Sequence, residues 1–105
     1  MNQKNLVVLA RIKAKSGMEQ HALKELTKLI EPTIKEEGCI KYELNTSLKD
    51  PCEFLFYEIW TSQDALTKHS ESTHIKAFRT IREEFLDGGP EVTLWEQSHS
   101  CSPKL

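Results

Sequence analysis

Residues 54–74 read FLFYEIWTSQDALTKHSESTH, and the first seven of them decide the fold. FLFYEIW is apolar at nearly every position and rich in aromatic and branched residues, so it reads as a central strand covered on both faces. Alternation places Phe56, Glu58 and Trp60 on one face and Leu55, Tyr57 and Ile59 on the other. The polar TSQD that follows resembles a capping box from Thr61 to Asp64, opening a short helix QDALTKHS. SEST is dense in capping residues and predicts a break, with a second helix restarting near Ser72. Ile75, Phe78, Ile81 and Phe85 form that helix's apolar stripe, and DGGP at 87–90 stops it.

Working outward, LVVLARIKA at 6–14 is a second inner strand. Ser16 with Glu19 has capping-box spacing. Met18, Ala22, Leu26, Leu29, Ile30 and Ile34 then recur as one helical stripe, with Pro32 expected to kink its last turn and Gly38 expected at the C′ position. CIKYELNTS at 39–47 alternates, with Ile40, Tyr42 and Leu44 on one face. EVTLWEQ at 91–97 is the last strand. The order β-α-β-β-α-β predicts an α+β fold, a split βαβ arrangement with one antiparallel sheet and helices on one face. A single domain spans 1–97, with a C-terminal tail at 98–105. Helices cover one face only, so Leu55, Tyr57 and Ile59 need other cover. At ~25 cal/mol per Å2 the loss on leaving them wet is several kcal/mol, and a second copy packed sheet to sheet is the simplest remedy. A homodimer is expected.

The 105 residues carry a net charge of −2 and scattered lysines, a balance that does not suggest a nucleic-acid or membrane partner. No apolar run approaches the ~20 residues of a membrane span, and the N-terminus does not look like a signal peptide. Three cysteines, Cys39, Cys52 and Cys101, form no C-x-x-C pair and fit reduced thiols in a cytoplasm.

EEGCIKYEL, the DP…FLFYEIW segment and ALTKHSESTHIKAF together resemble the antibiotic-biosynthesis monooxygenase family. The pattern E-x-G-C-x-x-Y, then E-x-W…H…H-x-x-x-F, runs through most of residues 6–97. The resemblance implies a ferredoxin-like dimeric α/β barrel and a small-molecule substrate. It also implies oxidation by dioxygen without a cofactor, on a quinol- or polyphenol-like compound. Related branches degrade haem or process phosphorylated autoinducer-2 as isomerases. The haem-degrading branch carries an asparagine on its first strand, and LVVLARIKA has none.

Facing the helices, Glu58 either accepts structural hydrogen bonds or pairs with Arg79 or Arg11, or it orients a histidine of the following segment. On one continuous helix, His69 and His74 diverge by ~140°, and two histidines with a distant glutamate fall short of a metal-ligand set. No metal is expected. The break at SEST places His74 in the first turn of the last helix, where neutral imidazole is favoured. His74 is thus the candidate proton acceptor, with Glu58 and His69 beside it, though both histidines could equally be packing or surface residues. Trp60, Phe56, Tyr42 and Phe78 are the expected apolar wall of the substrate pocket. Two alternatives stay open: a non-catalytic small-ligand binding protein, and isomerase-type processing of a phosphorylated compound, for which Lys41 and Lys76 are the candidate phosphate contacts.

Overall fold

The computed structural model describes residues 4–99; Cys101 and most of the expected tail lie outside them. Four strands form one antiparallel sheet in the order β2-β3-β1-β4: β1 (Leu6–Lys13), β2 (Cys39–Thr46), β3 (Glu53–Trp60) and β4 (Glu91–Glu96). This is the ferredoxin-like arrangement anticipated from the strand–helix order. Helices α1 (Glu19–Thr27), α2 (Ile30–Ile34), α3 (Gln63–Ser70) and α4 (Thr73–Ile81), with a 3-10 turn at Arg82–Glu84, make up the remaining regular structure. None of the described helices is long and apolar enough to cross a membrane.

Register aligns the inward side chains across the sheet. Val8 sits opposite Glu58, Ala10 opposite Phe56 and Ile12 opposite Phe54, while Tyr42 lies opposite Glu58 on the other side of β3. These residues, with Ala22, Leu26, Leu29, Trp60, Phe85 and Leu86, form the core. On the opposite face Leu55, Tyr57, Val7 and Leu9 remain half-buried, whereas Ile59, also expected to need other cover, is already buried within the chain. Every residue of β4 is exposed, Trp95 by 56 %.

Local chemistry moved several boundaries. The Ser16–Glu19 capping box does not form: Met18 is the N-cap and no side chain caps α1. Gly17 instead turns the chain with φ 85°. The cap of α3 is Ser62 rather than Thr61, its Oγ accepting from the Ala65 N–H at 3.1 Å. Pro32 falls in the first turn of α2, where its missing donor has no intrahelical partner to lose, and the chain breaks upstream at Lys28–Leu29. That break rotates the stripe, so Thr33 is fully buried and Ile34 is 53 % exposed. An irregularity between Cys39 and Lys41 takes Ile40 out of alternation and leaves it 50 % exposed.

Gly38 is not a C′ residue, since α2 already ends at Ile34 with Lys35 as its C-cap. It has φ 88°, and a Cβ there would meet the Ala65 Cβ at 2.5 Å and the Thr61 Oγ1 at 2.8 Å. Its carbonyl accepts from the Thr61 N–H at 2.8 Å, binding the start of β2 to the end of β3. Gly38→Ala combines a disfavoured backbone conformation with overpacking against a methyl that cannot swing away. The expected loss is about 3 kcal/mol, read as a lowered urea midpoint. An unchanged midpoint means that the turn has another conformation.

Candidate active site

The break foreseen in SEST is real and sets the geometry. α3 ends at Ser70 and α4 starts at Thr73. The Ser72 hydroxyl donates to the His69 carbonyl at 2.7 Å, fastening the corner between them. The corner redirects the two imidazoles toward each other, with ring centroids 6.0 Å apart. What they meet is Glu36, in the turn between α2 and β2. One carboxylate oxygen, Oε2, lies 2.8 Å from His69 Nδ1 and 2.9 Å from His74 Nε2. A carboxylate only accepts, so both ring nitrogens carry the hydrogen in this arrangement. Thr33 Oγ1 lies 3.1 Å from the same His74 nitrogen.

The two histidines therefore differ. His69 is buried and borders a cavity of about 270 Å3 between sheet and helices. With Nδ1 held by Glu36, its Nε2 has no hydrogen-bond partner among the described residues, and none of their buried side-chain nitrogens or oxygens is left unsatisfied, so Nε2 is open to solvent. Burial lowers the His69 pKa against the opposing pull of Glu36, so the ring is neutral at pH 7 with an available lone pair. His74 does not border the cavity. It stands behind Glu36 as that carboxylate's second donor.

Glu58 borders the same cavity. Its Oε1 accepts from Trp60 Nε1 at 2.9 Å. It pairs with neither arginine: Arg11 is bound to Glu53 at 2.6 Å, and no ion pair of Arg79 occurs among the described residues. Nor does it hold a histidine, a task that falls to Glu36. Burial, opposed by the Trp60 hydrogen bond and reinforced by the nearby Glu36 charge, pushes Glu58 up to about 7. The carboxyl is thus divided between its two protonation states at neutral pH.

The expected aromatic wall is present in part. Tyr42, Phe56 and Phe78 border the cavity together with Val8, Leu26 and Ile75. Tyr42 stacks on Phe56 at 4.5 Å between centroids, and burial drives its phenol pKa upward. Trp60 is fully buried and lies behind the wall, against the His69 ring at 4.7 Å. It fixes Glu58 and His69 rather than lining the space. Cys39, opposite Trp60 in the sheet, has a thiol pushed up to about 11 by burial and then by Glu36 and Glu58. Neither lysine proposed for phosphate borders the cavity: Lys41 lies over the Tyr57 ring on the other face of the sheet, and Lys76 is exposed.

Glu36, His69 and His74 also bring three donor atoms within 4.8 Å of one another, so this trio could hold a divalent cation, with a histidine–histidine–carboxylate donor set suited to zinc or iron. A cation there would displace both hydrogen bonds to Glu36 and the protons that make them.

The model of the family described as antibiotic biosynthesis monooxygenase matches residues 5–81. The chain belongs to that family. A Bacillus subtilis relative, YcnE, named as a proposed monooxygenase, is 28% identical over 93 residues, covering 89% of this chain and 98% of the relative. An uncharacterized Synechocystis protein is 26% identical over 91 residues; the match takes in 87% of this chain but only 62% of that relative's length. Among solved structures, one from Pseudomonas aeruginosa superposes with a TM-score of 0.86 at 26% identity, covering 91% of this chain and 96% of that one. The matched span holds Glu36, Glu58, Trp60, His69 and His74, and ends before β4.

Proposed function

We propose that this antibiotic biosynthesis monooxygenase family member is a cofactor-independent monooxygenase acting on a small quinol- or polyphenol-type substrate, with His69 as the proton acceptor. The observation that carries this reading is His69, held through Nδ1 by Glu36 at the border of a largely apolar cavity. A carboxylate that fixes the tautomer and stabilises the imidazolium is the arrangement a histidine base needs.

The chemistry balances without an outside reductant. A substrate hydroxyl gives its proton to His69 Nε2. The anion passes one electron to dioxygen, and the aryloxyl radical and superoxide combine into a carbon-bound peroxide, which takes a proton back from the imidazolium. Loss of the ring hydrogen with the distal oxygen as water leaves one oxygen atom as a carbonyl. A quinol thus becomes a hydroxyquinone, and the substrate supplies all four electrons. Tyr42, Phe56 and Phe78 shield the radical pair from water. The test is oxygen uptake by metal-free protein over a panel of quinols and polyphenols, with one atom of labelled dioxygen expected in the product. Tight binding without uptake would favour a non-catalytic binding protein.

A second reading, a metal-dependent activity, is favoured by the gathering of Glu36, His69 and His74. Near-stoichiometric metal in protein purified without additions, and activity abolished by a chelator, would select it.

The assembly we infer is a homodimer through the open sheet face. Val7, Leu9, Leu55 and Tyr57 lie there half-buried and without a covering layer, a condition that a second copy removes. Tyr57→Asp places a charge in that contact and should give monomers or unfolded chains in sedimentation. A wild-type protein that sediments as a folded monomer at micromolar concentration refutes the dimer.

A further inference from the structure

The cavity that His69 and Glu58 border is lined mainly by apolar side chains, and Arg79 of α4 and Arg82 of the following 3-10 turn border it too. Arg79 is exposed and Arg82 half-exposed, whereas His69 and Glu58 are buried. Among the described residues neither guanidinium takes part in an ion pair or a side-chain hydrogen bond. The remaining arginine, Arg11, does have a carboxylate partner, Glu53 at 2.6 Å. Arg82 also borders a shallow surface groove with Glu83 and Asp87, yet neither acid reaches it as a partner. Arg79 is close enough to His69 that its charge disfavours the imidazolium, which places the guanidinium within the electrostatic reach of the site.

Two fixed positive charges thus overlook a space whose one acidic group is Glu58. An apolar cavity with this mouth is ill matched to a neutral quinol. The neutral molecule fills the wall but leaves both guanidinium groups to water. A volume of about 270 Å3 is at the small end for ligand sites, so it suits one or two rings rather than a polycycle. Planar guanidinium forks bind carboxylate and phosphate oxygens two at a time.

We propose that the substrate of this site carries an anionic oxygen group, a carboxylate or a phosphate ester, held by Arg79 and Arg82. The same contact directs its phenolic end inward to His69. The proposal rests on the reading of this cavity as the substrate site, and it assigns the two arginines a specificity role. The anion also sets the direction of entry: acid group last, hydroxyl first.

Calorimetric binding tests this independently of turnover. The probes are benzene-1,4-diol, 2,5-dihydroxybenzoate and 4-hydroxyphenyl phosphate. The better of the two acids should bind at least tenfold more tightly than the diol, and which acid it is separates a carboxylate from a phosphate substrate. The preference should weaken with added salt, fall away in the double variant Arg79→Gln, Arg82→Gln, and persist in part in Arg79→Lys. Both arginines are solvent-facing, so the variants should keep the wild-type melting temperature. Equal affinity for diol and acids, acids that fail to bind at millimolar concentration, or a preference that survives the double variant would each overturn the proposal. Oxygen uptake is read separately. Tight acid binding without uptake sinks the monooxygenase reading and leaves the anion subsite standing, while uptake of dioxygen with the diol as readily as with the acids does the reverse.

Discussion

His69→Ala should lower kcat for oxygen consumption by about 10^2 or more with little change in KM, the usual scale for losing a general base. The residue borders the cavity, its Nδ1 is held by Glu36 at 2.8 Å, and its Nε2 has no partner among the described residues. His74→Ala should cost less than about tenfold, because His69 keeps its bond to Glu36 when the second donor is gone. Glu36→Gln should fall between them: the amide oxygen can still accept from one ring, but it no longer stabilises the imidazolium. Added imidazole should restore part of the activity of His69→Ala. If His74→Ala abolishes turnover and His69→Ala does not, the roles are reversed, and the helix-start histidine suggested by the sequence alone is the base.

The second large effect is on stability. Glu58 titrates near 7 in the folded protein against 4.5 for the ordinary group. At about 1.4 kcal/mol per unit, its ionisation costs roughly 3 kcal/mol of stability by pH 8. The folded state binds more protons than the unfolded state between the two values, so this contribution falls as pH rises from 4.5 through 7. His69 has the opposite sign: its pKa is lowered on folding, so stability is lost as pH falls through its unfolded value near 6.5. Glu58→Gln keeps an acceptor for the Trp60 N–H and removes only the carboxyl. The variant should therefore be more stable than wild type at pH 8, by up to about 3 kcal/mol, with the gain vanishing near pH 4.5. Its stability should rise from pH 5 to 7 under the His69 effect alone. Urea midpoints at fixed protein concentration read this, and an identical pH gradient in variant and wild type would show that Glu58 is ionised in an ordinary environment.

Legibility in the sequence followed the range of the interactions. FLFYEIW declared its two faces because alternation along a strand needs only neighbours, whereas the pairing of Phe56 and Glu58 with Ala10 and Val8 is long-range and came from the structure. QDALTKHS and the restart after it were equally local, since capping residues mark both ends of α3 and the start of α4. The errors came where local signals competed. Ser16 had capping spacing, yet Gly17 provided a turn that placed the helix start two residues on. Thr33 and Ile34 exchanged places because the break at Lys28–Leu29 reset the helical phase. Glu36 was the largest omission. It acts 33 residues before His69, from a turn, and no periodicity marks a carboxylate in a turn. The available signal was the glutamate of E-x-G-C, which is Glu36 itself, two residues upstream of the glycine that bends the turn. Trp60 was placed on the right face but one layer too shallow, because alternation gives direction and not depth.

Cys39 lies beside this chemistry, paired across the sheet with Trp60 and within the field of Glu36 and Glu58. A thiol with a pKa of about 11 is ionised in roughly one molecule in ten thousand at pH 7, and oxidants attack the thiolate. Dioxygen chemistry leaks superoxide and peroxide whenever a radical pair separates before combining. Burial first, and then the charges of Glu36 and Glu58, keep this sulfur in its inert form, which under the proposed chemistry would spare the protein self-inactivation by escaped oxidants. For the proposed oxidation, durability over many turnovers would then be built in by burial and negative charge.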